Sequence, residues 1–297
     1  MTKKITVIVA SAVLAAQGIA PSPAVAANAA AATQAASELE YGSHRLQRMD
    51  FYPAVSRDGE ALPTIVFVHG GAWAGGDKSD STGQAKIRHY TEAGYNLVSV
   101  NYRLLPEVTI EQQAQDVASA LDDILVNARK LGVDPTRIVL MGHSAGAHLS
   151  ALLATDPSYL DAHDRSPRDI AGVVLLDGPA YDVPRQIVDA GPLLGFGYQL
   201  AFGNRIGRQE TLSPVHHADG KDARRFLMIH VERPDAKRQA EKLADVLERE
   251  GTDAEVMAFP GRGMEGHNLL NAMLGRRDSP ATVPVDEWLA ATFAIRR

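Results

Sequence analysis

The chain has 297 residues, no cysteine, and 36 acidic against 30 basic side chains, giving a formal charge of −6. Without cysteine there is no disulfide framework, no thiol chemistry and no lipidated anchor. An acidic chain with no basic cluster is a poor partner for nucleic acid or an anionic membrane surface.

Lys3 and Lys4 precede an apolar stretch over residues 5–20, which ends at Pro21 and Pro23 before Ala24-Val25-Ala26. A positive start, an apolar core and a small-x-small site predict a secretory signal peptide over residues 1–26 and hence export, to the periplasm or beyond. A membrane anchor would need about 20 apolar residues; this core is shorter and broken by prolines. Losing Lys3 and Lys4 would bring the charge to −8. Residues 27–40 are alanine-rich with few large side chains and read as a flexible leader. Residues 41–297 suit one large domain mixing helices and strands.

Within that domain, apolar runs of strand length fall at 44–51, 64–68, 97–102, 137–141, 171–176, 225–231 and 254–259. Amphipathic helical patterns fall between them at 83–93, 109–131, 145–155 and 236–250, with a last one at 284–295. Such alternation predicts an α/β architecture, with crossover helices on both faces of a mostly parallel sheet. The first run alternates and could be an antiparallel edge strand. Residues 178–222 break the rhythm with Pro184, Pro192 and a glycine-spaced apolar run from Leu193 to Gly203. A connection of that length is usually functional. It reads as a small helical cap over a site, and alternatively as a helical excursion packed on the body.

Two strand ends carry candidate chemistry. The run Thr64-Ile-Val-Phe-Val ends in His69-Gly70-Gly71-Ala72-Trp73, where glycines let backbone N–H groups approach a ligand. The run Ile138-Val-Leu-Met ends in Gly142-His143-Ser144-Ala145-Gly146. A serine at a sharp turn between strand and helix needs small residues two places to either side, and Gly142 and Gly146 supply them. The helix start beyond it presents unpaired N–H groups where negative charge develops in acyl transfer.

In combination these motifs resemble the α/β-hydrolases of the esterase/lipase group that carry His-Gly-Gly-x-Trp, near the hormone-sensitive-lipase-like and feruloyl-esterase-like carboxylesterases, over roughly residues 45–295. The resemblance implies the α/β-hydrolase fold with a helical cap, and a triad in the chain order Ser, Asp or Glu, His. Ser144 would be the nucleophile. His267, in the glycine-rich loop expected over Pro260-Gly-Arg-Gly-Met-Glu-Gly after the last strand, would be the base. Asp235 is the favoured acid and Glu232 the alternative, both just after the run 225–231. Gly71, Ala72 and Ala145 would donate backbone N–H groups to an oxyanion hole. Trp73, His143, Phe196 and Phe202 are expected to line the substrate pocket, and His69 to brace its loop.

The expected substrate is a small-molecule or polymer-linked carboxylic ester. The same triad would equally serve an amidase, such as an arylformamidase, or a peptidase; a binding protein on an inactivated hydrolase fold is the third reading. No Cys/His spacing suits zinc, and Gly70-Gly71 lacks the spacing of a dinucleotide or phosphate loop. Neither metal nor cofactor is expected. The adjacent pair His216-His217 and the polar stretch Asp161, His163 and Asp164 read as solvated loops.

Overall fold

A computed structural model describes residues 36–56 and 59–295. The expected signal peptide and residues 27–35 of the expected leader lie outside the described residues. Eight strands form one sheet: β1 (Ser37–Glu40), β2 (Arg48–Tyr52), β3 (Leu62–Val68), β4 (Asn96–Val100), β5 (Val133–His143), β6 (Gly172–Leu176), β7 (Arg225–Glu232) and β8 (Asp253–Arg262). Their order across the sheet is β1-β2-β4-β3-β5-β6-β7-β8, with β1 and β2 antiparallel and the remainder parallel.

The strands from β3 to β7 are apolar runs because helices cover both faces. Val66 and Val68 enter one core with the helices Ile110–Val126 and Ala145–Thr155. Ile65 and Phe67, on the opposite side of the pleat, enter another with the helices Gln84–Glu92 and Thr282–Ala294. The predicted helix at 109–131 is two pieces, since Asn127 ends Ile110–Val126 and a short Ala128–Leu131 follows. Thr109 and Gln112 form a capping box at its start.

Two departures from expectation matter, in the leader and around His267, whereas the segment 178–222 is helical as expected. The leader was placed as far as residue 40, yet Ser37–Glu40 pairs with β2 and forms the sheet edge. Its mostly polar sequence carries no strand signal; backbone pairing holds it, with Glu38 and Glu40 paired to Lys78 and Arg48 and Leu39 packed against the core. Residues 178–222 hold the helices Val183–Asp189, Gly191–Phe202 and Ile206–Thr211 and a 3₁₀ turn, Pro214–His216. The glycine-rich stretch around His267 is a helix, Gly263–Met273, instead of a loop. Among the described residues, no helix is long and apolar enough to cross a membrane.

Candidate active site

Ser144 stands at the junction of β5 and the helix Ala145–Thr155, with φ 54° and ψ −121°. A non-glycine residue rarely takes that conformation, and surrounding structure must enforce it. Here the enforcement is steric closeness. A Cβ on Gly142 would lie 2.3 Å from Gly146 O, and one on Gly146 would lie 2.1 Å from Val68 O. All eleven residues of the following helix are buried, so its rigid start fixes the serine from behind. Ala145 is the first helical residue, and its N–H has no partner inside the helix.

The loop after β3 is held as firmly. Gly71, Ala72 and Trp73 all have positive φ, at 120°, 52° and 59°. The Trp73 carbonyl accepts from Leu105 N–H at 2.9 Å and Gln113 Nε2 at 2.7 Å. His69 braces the turn: Nδ1 donates to Gly70 O at 2.7 Å, and its ring stacks on Tyr102 at 4.4 Å.

His267 occupies the second turn of its helix and is buried. Its Nδ1 donates to Asp177 Oδ2 at 2.6 Å, leaving Nε2 as the acceptor nitrogen. Asp177 is the first residue beyond β6, and the register explains its place. His143 pairs with Leu176, so the residues just past β5 and β6, Ser144 and Asp177, sit side by side. Ser144 N–H donates to Leu176 O, and Asp177 N–H donates to Ile229 O on the next strand. Asp177 has φ 47°, a second strained backbone at the site.

Asp177 is fully buried; Val231 N–H donates to its Oδ1 at 3.0 Å, and an Arg233 guanidinium nitrogen lies 3.2 Å from Oδ2. Burial pushes this carboxyl up, but the His267 hydrogen bond, the Arg233 charge and the Val231 N–H outweigh it and hold it below its ordinary value. The group is a carboxylate at neutral pH.

The expected acid was Asp235, and the geometry corrects it. Asp235 accepts from Gln186 Nε2 at 3.2 Å and lies 3.8 Å from Arg233 Nε, while the Nδ1 of His267 is bonded to Asp177. Glu232, the alternative, pairs with Arg262 in solvent at 2.6 Å. Pro234 opens the next helix only two residues past Glu232, so Asp235 falls in a helical first turn on the cavity wall. The usable sequence signal for Asp177 was a lone carboxylate directly after the wholly apolar Gly172–Leu176, followed by Gly178-Pro179.

Ser144, His267, Trp73, Ala72 and Asp235 share a cavity of about 530 Å³ with the cap residues Leu194, Tyr198 and Ala201. Of the four expected pocket residues, only Trp73 lines it. His143 is buried behind His267, its ring 4.4 Å away and its Nε2 donating to His267 O at 3.1 Å. Burial, reinforced by the His267 ring, pushes His143 down to about 3, so it is neutral. Phe196 points outward and is 60% exposed. Phe202 is fully buried beneath the cavity, 4.9 Å from Trp73 and 5.2 Å from His148. Leu194, from the apolar run 193–203 expected to line the pocket, does form its wall, and Met264, at the start of the His267 helix, is the apolar wall residue that sequence reading missed. A surface cleft of about 750 Å³ beside β7 and β8 shares Arg233 but contains neither Ser144 nor His267.

Comparison with known proteins agrees with this fold. The BD-FAE family model matches residues 49–177. The chain is 36% identical over 142 residues, 48% of its length and 33% of the relative's, to the probable isoprenylcysteine alpha-carbonyl methylesterase ICMEL2 of Arabidopsis thaliana. It is 35% identical over 277 residues, 87% of its length and 62% of the relative's, to the probable carboxylic ester hydrolase LipM of Mycobacterium tuberculosis. The first curated relatives are matched over only 27% to 61% of their own lengths. Among solved structures, Thermogutta terrifontis esterase 2 phosphoramylated by tabun superposes with a TM-score of 0.71 at 21% identity, covering 90% of this chain and 98% of that one.

Proposed function

We propose that this chain, a member of the α/β-hydrolase superfamily, hydrolyses carboxylic esters through a Ser144–His267–Asp177 triad. The observation that carries the reading is the 2.6 Å bond from His267 Nδ1 to a buried carboxylate, made at a cavity that also displays a strained serine. A nucleophile, its base and the base's orienting acid are the parts acyl transfer needs.

In this reading Ser144 Oγ attacks the ester carbonyl while His267 Nε2 accepts its proton. Asp177 holds the tautomer and stabilises the imidazolium that forms. The Ala145 and Ala72 N–H groups, with Gly71 beside them, receive the oxyanion of the tetrahedral intermediate. His267 returns the proton to the departing alkoxide, leaving an acyl-serine. Water, activated by the same imidazole, then attacks the acyl group and regenerates Ser144. Trp73, Leu194, Tyr198, Ala201 and Met264 give the cavity an apolar wall suited to an acyl or aryl group. The amino-terminal pattern of Lys3-Lys4, apolar core and Ala24-Val25-Ala26 supports export, which the mass of the mature chain in a culture supernatant or periplasmic extract would test.

Ser144→Ala is the decisive test. Loss of the covalent intermediate should lower turnover of p-nitrophenyl butyrate by several orders of magnitude with an unchanged melting curve, and a fluorophosphonate should label only the Ser144 form. Substantial turnover by folded Ser144→Ala would overturn the reading.

A further inference from the structure

The turn leaving β7 brings a single cation to the cavity wall beside the reacting groups. Arg233 lies between Glu232, which ends β7, and Pro234, which begins the next helix, and its N–H donates to Val231 O at 2.7 Å. Its side chain is 17% exposed. One guanidinium nitrogen, Nη2, lies 3.2 Å from Asp177 Oδ2, the same oxygen that accepts from His267 Nδ1. Nη1 lies 3.7 Å from Met264 Sδ. Nε is 3.8 Å from Asp235 Oδ1, too far for a hydrogen bond, and is buried without an acceptor. One buried carboxylate oxygen therefore serves both the imidazole and a permanent positive charge.

Building on the triad read above, we propose that Arg233 is a positioning residue: its guanidinium keeps the Asp177 carboxylate ionised, aims Oδ2 at His267 Nδ1, and sets how much of that negative charge a protonated imidazole can use. Opposite charge within a few ångströms favours the ionised form of a carboxylate. A planar guanidinium also fixes the orientation of the carboxylate it contacts.

Other titratable groups surround the pair: in the cleft beside β7 and β8 that Arg233 also lines stand His230, Glu232, Lys237, Arg238 and Glu241, with Glu232 paired to Arg262. Asp235 stands at the start of the next helix, and Asp189, on a cap helix, is engaged by Arg185 and Arg238. Tyr181 and Tyr198 flank the pair from the segment after β6 and from the cap, and burial pushes both phenols up, Tyr198 to about 12. His143 is neutral, as above. On the far side of the His267 helix, Lys86 Nζ donates to Asn271 O, and burial pushes this amine down to about 7. Lys86 thus titrates within the range of an activity profile, and a Lys86→Met background separates its contribution.

The experiment is the pH profile of p-nitrophenyl butyrate hydrolysis by the full enzyme and its Arg233→Met and Arg233→Lys variants, each also made in the Lys86→Met background. Removing the cation should raise the proton affinity of the coupled Asp177–His267 pair. The acidic limb of kcat should move up by about one pH unit in Arg233→Met, with kcat at pH 8 down roughly tenfold or more and KM within about threefold. Arg233→Lys should restore the limb and most of kcat. An unmoved limb in Arg233→Met, equal damage in Arg233→Lys, or a loss confined to KM would overturn the proposal. So would a limb that moves only with Lys86→Met. If Arg233→Met does not fold, Arg233→Gln against Arg233→Lys makes the same comparison. Fluorophosphonate labelling keeps the two readings apart. An active Ser144→Ala enzyme removes the triad itself, whereas an essential Ser144 with an unmoved limb removes only the role of Arg233.

Discussion

Asp177→Asn is the sharpest probe of the site, because the substitution keeps the shape and deletes the charge. Asp177 Oδ1 accepts from Val231 N–H, so an asparagine oxygen belongs there and the amide nitrogen must face His267 and Arg233. Two N–H donors cannot share that contact. His267 must then present Nδ1 as an acceptor, which places the proton on Nε2 and disables the base. The lost attraction is substantial as well. With about 4 Å between charge centres and an effective dielectric of about 20, carboxylate and imidazolium attract by roughly 4 kcal/mol. That alone is about three orders of magnitude in rate, and the wrong tautomer brings the expected loss in kcat to about 10⁴-fold. Asp235→Asn changes only a contact to Gln186 and a distant approach to Arg233, so its activity should stay within a few-fold. The assay is kcat for p-nitrophenyl butyrate at pH 8 with both proteins shown to be folded. Near-normal turnover by Asp177→Asn, with collapse in Asp235→Asn, would refute the assignment of the acid.

Two further substitutions separate packing from contact with substrate. Phe202→Ala should cost about 3–5 kcal/mol in urea unfolding, because the side chain is fully buried against Trp73 and His148. Phe196→Ala, on an exposed face, should stay within about 0.5 kcal/mol and leave selectivity unchanged. Leu194→Ala and Met264→Ala remove cavity wall. At about 25 cal/mol per Å², losing some 50 Å² of contact should lower the octanoate-to-acetate ratio of kcat/KM by up to tenfold. Lys86→Met tests a buried amine. Its folded value of about 7 lies below the unfolded 10.5, so the unfolded chain binds the extra proton between those values and stability must rise with pH there. The penalty of burying the charge is complete below about pH 7. The wild-type minus Lys86→Met difference in unfolding free energy should therefore climb from pH 7 to pH 10, at up to about 1.4 kcal/mol per unit, and a flat difference would refute it.

Much of this architecture is written locally in the chain. The parallel strands appear as short apolar runs because both faces of the sheet are covered, and Ser144 is marked by glycines whose absence of Cβ is sterically compulsory. The helix around His267 was not legible, since Gly261, Gly263 and Gly266 read as loop signals. The structure uses Gly266 differently: a Cβ there would lie 2.4 Å from Gly261 C, so glycine lets helix and strand pack backbone to backbone. Ser37–Glu40 escaped for the opposite reason, as an exposed polar strand carries no periodicity to read.

The proposed acid was missed because its position is a property of register, and register is not local. Chain order points to the end of β7, but the early Pro234 there starts a helix before any carboxylate can turn towards His267. The neighbouring strand end is better placed. Asp177 lies one strand from Ser144, takes a positive φ, and receives Val231 N–H from β7 itself. The end of β7 therefore contributes support in place of an acid: a backbone donor to Oδ1 and the Arg233 guanidinium to Oδ2. His267 is fixed in a matching way. Its backbone belongs to a helix whose carbonyls accept from His143 at residue 267 and from Lys86 at residue 271. The proposed base, carried on so constrained a helix, has little freedom to seek a carboxylate, so its partner must be held where the imidazole already points. That requirement makes an ionised, doubly anchored Asp177 the natural partner, and a shift of even one residue between β5 and β6 would separate it from Ser144.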